Sequence, residues 1–545
     1  MSPRSFPRVL HALAFAGGAH AIVNSTHPTL LTDIGEISKH WGQISPYSDN
    51  AADVFGVEDV GIPDGCQIEQ VHTMQRHAHR LPIHWVDDGN NNLDFVYKLG
   101  NWSAASNATG SFAGPLVFLN NYRYSMPSLG LLTGQGAVEE MKSGVSFWDK
   151  YGRTLYDAEV GQLTYDPKYP NGTARDKPLL RTTSQARMYN SMLNWAIGFF
   201  GPTFRADPDQ SIPTLGNWTD NFDVLIIPEG GTENNTLASY DSCFNDLESG
   251  IGDIGDLDVF KYLPVYLQDA TKRLQQYAPQ GFTFNVNNTY AMQMICAYEM
   301  QYIGQSDFCG LFTADEWTGF ENTLDIAYYY DYGFGNPTGR AQGIGYVQEL
   351  LARLQNQYIT SSNSSVNSTI TDNPADFPLG RPFYADFSHD DIIISVLTAM
   401  SVDYFRDAPS LTEYPPNPDR HFNLARLTPF GARLITEVVG CSAADPPAAS
   451  AKRTFYTPGQ YGYDAATATH KFVRMRLNDG IVPLDSIRGG ACAGRTDGLC
   501  ALDKFVESQE DSYELSNYDY ACFGNYTLDD PTNAHDYDGT ISEQN

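Results

Sequence analysis

Positive charge is scarce in this chain: 34 Lys and Arg stand against 65 Asp and Glu, a net charge of −31 at pH 7 over 545 residues. Such an acid excess repels nucleic-acid backbones and anionic lipid surfaces, which argues against both as partners. Long apolar runs are also missing. The stretch from Val9 to Ala16 is well short of the roughly 20 residues that a spanning helix needs. No later segment is longer and comparably apolar, and the polar end "GTISEQN" has no lipid-anchor tail. Among the eight cysteines there is no C-x-x-C pair, and their gaps fit no zinc-finger pattern, which argues against a structural metal.

What is present at the start is the pattern of a secretory signal. Arg4 and Arg8 precede the short apolar stretch, and Ala19, His20 and Ala21 form a small-x-small triplet, so residues 1–21 are expected to be removed. That loss takes away two arginines and no acid, moving the net charge from −31 to −33. The remaining chain is expected to be extracellular. Ten sequons agree with export: Asn24, Asn101, Asn107, Asn171, Asn217, Asn234, Asn287, Asn363, Asn367 and Asn525, each expected in a surface loop with an N-linked glycan. In an oxidising compartment the even cysteine count implies four disulfides, although spacing alone leaves their connectivity open.

Hydrophobic periodicity outlines an α/β chain. "CQIEQVHTMQRH" alternates as a strand, with Ile68 on one face and Val71, Thr73 and Gln75 on the other. "TTSQARMYNSMLNWAIGFFG" has the helical period, with Thr183 or Ser184 as cap and Gly201 as stop. "FDVLIIPEGG" has the form of a buried central strand. Residues from Tyr240 to about Trp317 read as mostly helical, and "GYVQELLARLQNQY" is a further helix. "RPFYADFSHDDIIISVLTAM" reads as a strand through Phe383, Ala385 and Phe387, then a helix beginning near Asp390. The expected architecture is a mostly parallel sheet flanked by helices, formed by residues 22–230 and 331–545, with a smaller all-α insertion at 231–330. Ligands of such sheets bind beyond the carboxyl ends of the strands.

Against the acidic background, "VHTMQRHAHRLP" concentrates Arg76, His77, His79 and Arg80 at a strand's C-terminal end. Arginine forks match phosphate oxygens, and two of them flanking one histidine can hold a phosphoryl group for attack by the ring nitrogen. "RHAHRLP" resembles the RHGxRxP signature of the histidine acid phosphatases, and "SHDD" resembles their downstream HD dipeptide. "LLTGQG", "RTTSQARM", "LIIPEGGTENNT" and "LTPFGARLITEVVGC" fall in the same family order. The similarity covers nearly the whole mature chain and is strongest to secreted fungal phytase and acid phosphatase members.

The resemblance implies a phosphoglycerate mutase-like fold and hydrolysis of phosphate monoesters at acid pH without a cofactor or metal. It implies a phosphohistidine intermediate on His77, Asp390 as the acid that protonates the leaving alcohol, and Arg76, Arg80, Arg187 and His389 as the phosphate pocket. Phytate is the implied substrate. The implied disulfides are Cys66 with Cys441, Cys243 with Cys522, Cys296 with Cys309, and Cys492 with Cys500. The chain departs from the motif at Ala78, where glycine is usual. His79, at the motif's variable position, is expected to be mostly protonated near pH 5 if it keeps the ordinary histidine pKa of about 6.5.

Two readings compete. His72, His77 and His79 have H-x4-H-x-H spacing that a metallophosphohydrolase could use, but along a strand His72 does not share a face with the other two, and two arginines would repel the cation. A secreted glycoprotein that keeps the fold without activity is the other, disfavoured by intact candidates for nucleophile, clamp and acid. Arg181 fits a further phosphate contact and a structural ion pair equally well and is left off the catalytic set, while Asp391 is read as a solvated or capping residue.

Overall fold

A computed structural model describes residues 28–58, 60–83, 88–105, 110–127, 129–201, 221–230, 233–449, 452, 457–529 and 536–543. The expected signal at 1–21 and the sequons at Asn24, Asn107 and Asn217 lie outside the described residues.

The hydrophobic alternation read in the sequence becomes one eight-stranded sheet. Its strands are β1 (Cys66–Arg76), β2 (Leu179–Thr183), β3 (Asp223–Ile227), β4 (Phe383–Ser388), β5 (Arg433–Cys441), β6 (His470–Leu477), β7 (Gly480–Ile481) and β8 (Cys500–Ala501). The order is β3-β2-β4-β1-β5-β6-β7, with β8 also paired to β6. The sheet is mixed. β3, β2, β4 and β1 run parallel, whereas β5, β6, β7 and β8 add antiparallel pairings. Parallel order is thus confined to the half that carries the charged motifs, where strands separated by helical crossovers must all point the same way.

Eight helices of ten or more residues occur among the described residues: α1 (Asn90–Ala104), α2 (Gly134–Phe147), α3 (Ala186–Phe200), α4 (Ile254–Gln275), α5 (Val286–Tyr302), α6 (Ala314–Tyr332), α7 (Gly339–Gln355) and α8 (Asp390–Ala399). On one sheet face, Val71, Leu180, Phe383, Ala385, Phe387 and Ile435 pack under Met188, Met192, Trp195 and Phe199 of α3 and Phe147 of α2. α2 and α3 cross at backbone distance because the crossing point is glycine on both sides. A Cβ on Gly144 would lie 1.9 Å from the Trp195 carbonyl oxygen, and one on Gly198 would lie 2.1 Å from that of Met141.

On the other face, Met74 and Ile227 join a core that runs without a break through α7, α8 and the helices α4 to α6. α1 packs on α5, so the helical layer recruits a segment that precedes residue 231, and α6 continues past residue 330. Between this core and the sheet lies a buried ion network. Arg181 bonds Asp386 at 2.7 Å and Glu349 at 2.7 Å, and Arg353 bonds Asp386 at 2.6 Å. Arg181 is therefore consumed by structure.

Two local expectations change. β3 is an edge strand, not a central one, and Val224 and Ile226 on it are 40% and 46% exposed. An apolar run bounded by turns does not distinguish the edge of a parallel sheet from its middle. α3 begins at Ala186 after Gln185, without a side-chain cap. Ser184 is drawn away because its Oγ accepts the Glu229 N–H at 2.9 Å, while Thr183 completes β2. Disulfides join Cys66 to Cys441 across β1 and β5, Cys243 to Cys522, Cys296 to Cys309, and Cys492 to Cys500.

Candidate active site

Strand register brings the two charged motifs together. Arg76, the last residue of β1, lies opposite Ser388, the last residue of β4, so His77 and His389 leave neighbouring parallel strands side by side. β2 sits on the other side of β4 and leads into α3, which delivers Arg187; β3 lies beyond it and leads to Glu229. Each of these side chains thus follows the carboxyl end of a parallel strand, where such sheets build their sites.

His77 is fully buried. Its Nδ1 lies 2.9 Å from the Ala78 carbonyl oxygen. A carbonyl can only accept, so Nδ1 carries the hydrogen and Nε2 keeps the lone pair. Nε2 faces the Arg80 Nε at 3.4 Å, and the His389 ring stands edge-on with its centroid 5.8 Å away. Burial, followed by the charges of Arg76, Arg187, Arg80 and His389, pushes the His77 pKa well below the ordinary histidine value. His77 therefore remains a neutral base in acid, where an exposed imidazole is protonated.

Three arginines surround it, each held differently. Arg76 donates to the carbonyls of Gln43 and Thr428, pairs with Asp390 Oδ2 at 2.6 Å, and lies over the Phe430 ring at 4.6 Å. Arg80 pairs with Asp88 at 2.6 Å and donates to the Leu81 carbonyl and the Tyr298 hydroxyl. Phe430 also lies beneath Arg80 at 5.8 Å and so supports both forks. Arg187 has a buried Nε with no hydrogen-bond partner among the described residues. Burial and the nearby Arg80 charge depress its pKa. A cationic group stacked against like charge, with unspent donors, fits an incoming oxyanion.

His389 heads α8, and its Nε2 lies 2.9 Å from Glu229 Oε1. Beside it, Asp390 places one oxygen, Oδ2, against both Arg76 at 2.6 Å and the Tyr328 hydroxyl at 2.6 Å. Burial acts to raise the Asp390 pKa, but Arg76, Arg80, Tyr328 and His389 together hold it below the ordinary carboxyl value. Asp391 goes the other way: burial lifts it to about 6, and its Oδ1 accepts the Ile392 N–H at 2.8 Å.

All six residues singled out in the sequence, Arg76, His77, Arg80, Arg187, His389 and Asp390, converge on this site. Ala78 is buried and does not take a positive φ, so the loop geometry needs no glycine there. His79 differs from expectation. It is buried against Phe430 and Gln301, and burial lowers its pKa to about 4, so it is neutral near pH 5 and supplies no charge. His72 stacks on Tyr384 at 4.7 Å inside the sheet. Of the three histidines of the H-x4-H-x-H spacing, His72 therefore lies apart, while His77 and His79 pack on the same Phe430 ring at 6.0 and 5.2 Å. Among the described residues no group of three or more His, Cys, Asp or Glu is arranged to hold a metal ion.

Glu229, Asp88, Tyr328 and Phe430 were not singled out by sequence. Glu229 had a usable signal, since it follows an apolar strand as Arg76 and His389 do. Phe430 lies inside the quoted segment "LTPFGARLITEVVGC", but its contacts, like those of Tyr328 on α6, arise from tertiary packing that the segment does not encode.

Comparison with known proteins converges on the same reading. Residues 67–478 match the model of the histidine phosphatase superfamily (branch 2). Phytase A of Aspergillus awamori is 29% identical over 497 residues, covering 89% of this chain and 90% of the relative. Phytase A of Aspergillus oryzae is 28% identical over 482 residues, covering 86% and 88%. The crystal structure of the phytase from D. castellii superposes with a TM-score of 0.64 at 23% identity, covering 92% of this chain and 94% of that one, which shows a shared fold.

Proposed function

Because the chain belongs to branch 2 of the histidine phosphatase superfamily, we propose that it hydrolyses phosphate monoesters in acid, phytate among them, through a phosphohistidine on His77. The observation that carries this is the state of His77: an imidazole kept neutral first by burial and then by three arginines, whose Nε2 lone pair faces the arginine cluster and accepts only a long hydrogen bond, 3.4 Å, from Arg80. The arginines that add to the effect of burial on His77 also attract the phosphate, so they serve both nucleophile activation and substrate binding.

In the first step the Nε2 lone pair forms a bond to phosphorus, the bond from phosphorus to the ester oxygen breaks, and that oxygen takes a proton from Asp390. Arg76, Arg80, Arg187 and His389 balance the charge on the transferring phosphoryl oxygens. Asp390 is ionised in the resting site, and the substrate supplies what it lacks. Below about pH 6 a phosphate monoester still carries one proton. Its negative charge offsets the cations that depress Asp390, so the proton can move to the carboxylate. Oδ2 is held by Arg76 and Tyr328, leaving Oδ1 to carry that proton to the leaving oxygen. In the second step water attacks phosphorus, the phosphorus–nitrogen bond breaks, and Asp390 takes the proton that water releases.

Phytate as substrate is supported by the relatives named Phytase A. An extracellular location is supported by the four disulfides and by the signal-like start of the sequence; no described helix is long and apolar enough to cross a membrane. Among the described residues, the sequon at Asn234 is poorly placed for a glycan. Its amide nitrogen already donates to the Ser364 carbonyl at 2.9 Å and the Val366 carbonyl at 3.2 Å.

The test is phosphate release from phytate and from simple monoesters at acid pH, with and without a chelator. Wild type should release phosphate from both and should tolerate EDTA, while His77→Ala should release none. Activity that is lost to EDTA and restored by zinc would replace this reading with a metal-dependent one.

A further inference from the structure

We propose that Glu229 is a positioning residue for this reaction, fixing which nitrogen His389 turns toward the phosphate and locking it to the start of the helix that carries Arg187. The proposal rests on the phosphatase reading above. Glu229 follows β3 by two residues, and its side chain is 6% exposed. Its carboxylate is shared between elements. Oε1 receives the His389 ring nitrogen at 2.9 Å, and Oε2 receives the Tyr240 hydroxyl at 2.8 Å and the Gln185 side-chain amide.

Its own N–H donates to Ser184 Oγ at 2.9 Å. Ser184 and Gln185 immediately precede α3, in whose first turn Arg187 lies. One buried carboxylate therefore joins the HD element, the start of the Arg187 helix and the segment after β3. A buried charge is costly unless it is fully paired. Burial acts to raise the Glu229 pKa, but the contacts with His389, Thr183 and Tyr240 bring it down to about 2, so it is ionised throughout the working range.

An ionised carboxylate only accepts hydrogen bonds, so His389 Nε2 carries a hydrogen and Nδ1 is the nitrogen left for the phosphate. The backbone of His389 is already set as the first residue before α8, and its side chain makes no capping bond. Ring rotation is the freedom that remains, and Glu229 removes it. Other charged or titratable groups around the ring are His77 at the end of β1, Tyr240 and Asp241 after β3, and Asp390 and Asp391 on α8. The described hydrogen bond of the ring is the one it donates to Glu229.

Glu229→Gln keeps the size of the side chain and removes its charge. It should lower kcat/KM by about 10–100-fold. The loss should fall on the grip on the phosphoryl group, so inhibition by vanadate should weaken together with kcat/KM. Glu229→Asp should restore part of both, whereas Tyr240→Phe should leave both near wild type. An unchanged kcat/KM, or a fall in kcat/KM with vanadate inhibition unmoved, would overturn the proposal. A slowed but detectable phosphoenzyme in Glu229→Gln keeps the two questions apart, since absence of phosphoenzyme in wild type would instead remove the phosphatase reading.

Discussion

At the scale of single residues, two neighbouring carboxyls are driven apart by their surroundings. Asp390 faces Arg76 and Tyr328 and is held down, while burial lifts Asp391 to about 6. Of the two, Asp390 is the one in contact with the arginine cluster that would hold the phosphate, which supports the proton transfer proposed for it despite its low resting pKa. A general acid matters in proportion to the basicity of the leaving oxygen. Asp390→Asn should therefore slow phosphoenzyme formation from alkyl phosphates within the roughly 10²–10⁴-fold range and should slow it far less from para-nitrophenyl phosphate. Burst-phase kinetics read that step directly. Equal slowing of both would make Asp390 an electrostatic residue and pass the role to Asp391. The clustering of His77 with Arg76 and Arg80 was legible in seven residues of sequence because the three are adjacent there, whereas Arg187 comes from a separate segment. The surroundings of His79 were not: whether a motif histidine faces substrate or core depends on Gln301 and Phe430, which are remote in the chain.

At the scale of elements, α2 links packing to pH. Gly136 lets it approach the motif loop so closely that a Cβ there would lie 2.3 Å from the His79 carbonyl oxygen. One turn on, Glu140 is fully buried and accepts a hydrogen bond from Gln75 of β1. Burial lifts its pKa from 4.5 to about 8, an effect that the Arg433 charge only partly opposes. The folded state therefore favours the protonated form. Its stabilising contribution is complete below the unfolded value of 4.5 and is lost as pH rises through about 8. Glu140→Gln, which stays neutral, should melt like wild type in acid and at higher temperature than wild type at mildly alkaline pH. Thermal unfolding followed across that range checks this, and parallel melting curves at every pH would show that Glu140 is not the titrating group. The sequence periodicity located α3, whose buried residues follow the helical period, and it also located α7, α8 and β1, which the fold buries on almost every side. It misplaced β3, since sheet order is decided by long-range pairing that a short apolar run does not encode.

At the scale of the whole molecule, an acidic chain concentrates its cations where parallel strands end. Arg76 and His389 meet because β1 and β4 are neighbours in register, although more than 300 residues separate them. The Cys66–Cys441 disulfide ties the start of β1 to the end of β5, which pins the same strand from its other side. The helical layer contributes Tyr328, Tyr298 and Gln301 to the site, which explains why these went unseen: a helix shows its buried face in sequence but not what that face touches. Everything proposed for this fold depends on His77 being a neutral nucleophile in acid with its hydrogen on Nδ1. The direct measurement is to quench the enzyme during turnover of a ³²P-labelled monoester at acid pH, work up in alkali to preserve phosphohistidine, and map the labelled peptide. Label on His77, attached at Nε2 and absent from His77→Ala, is the expected result; label at Nδ1 or on another residue, or turnover that survives His77→Ala, would contradict it.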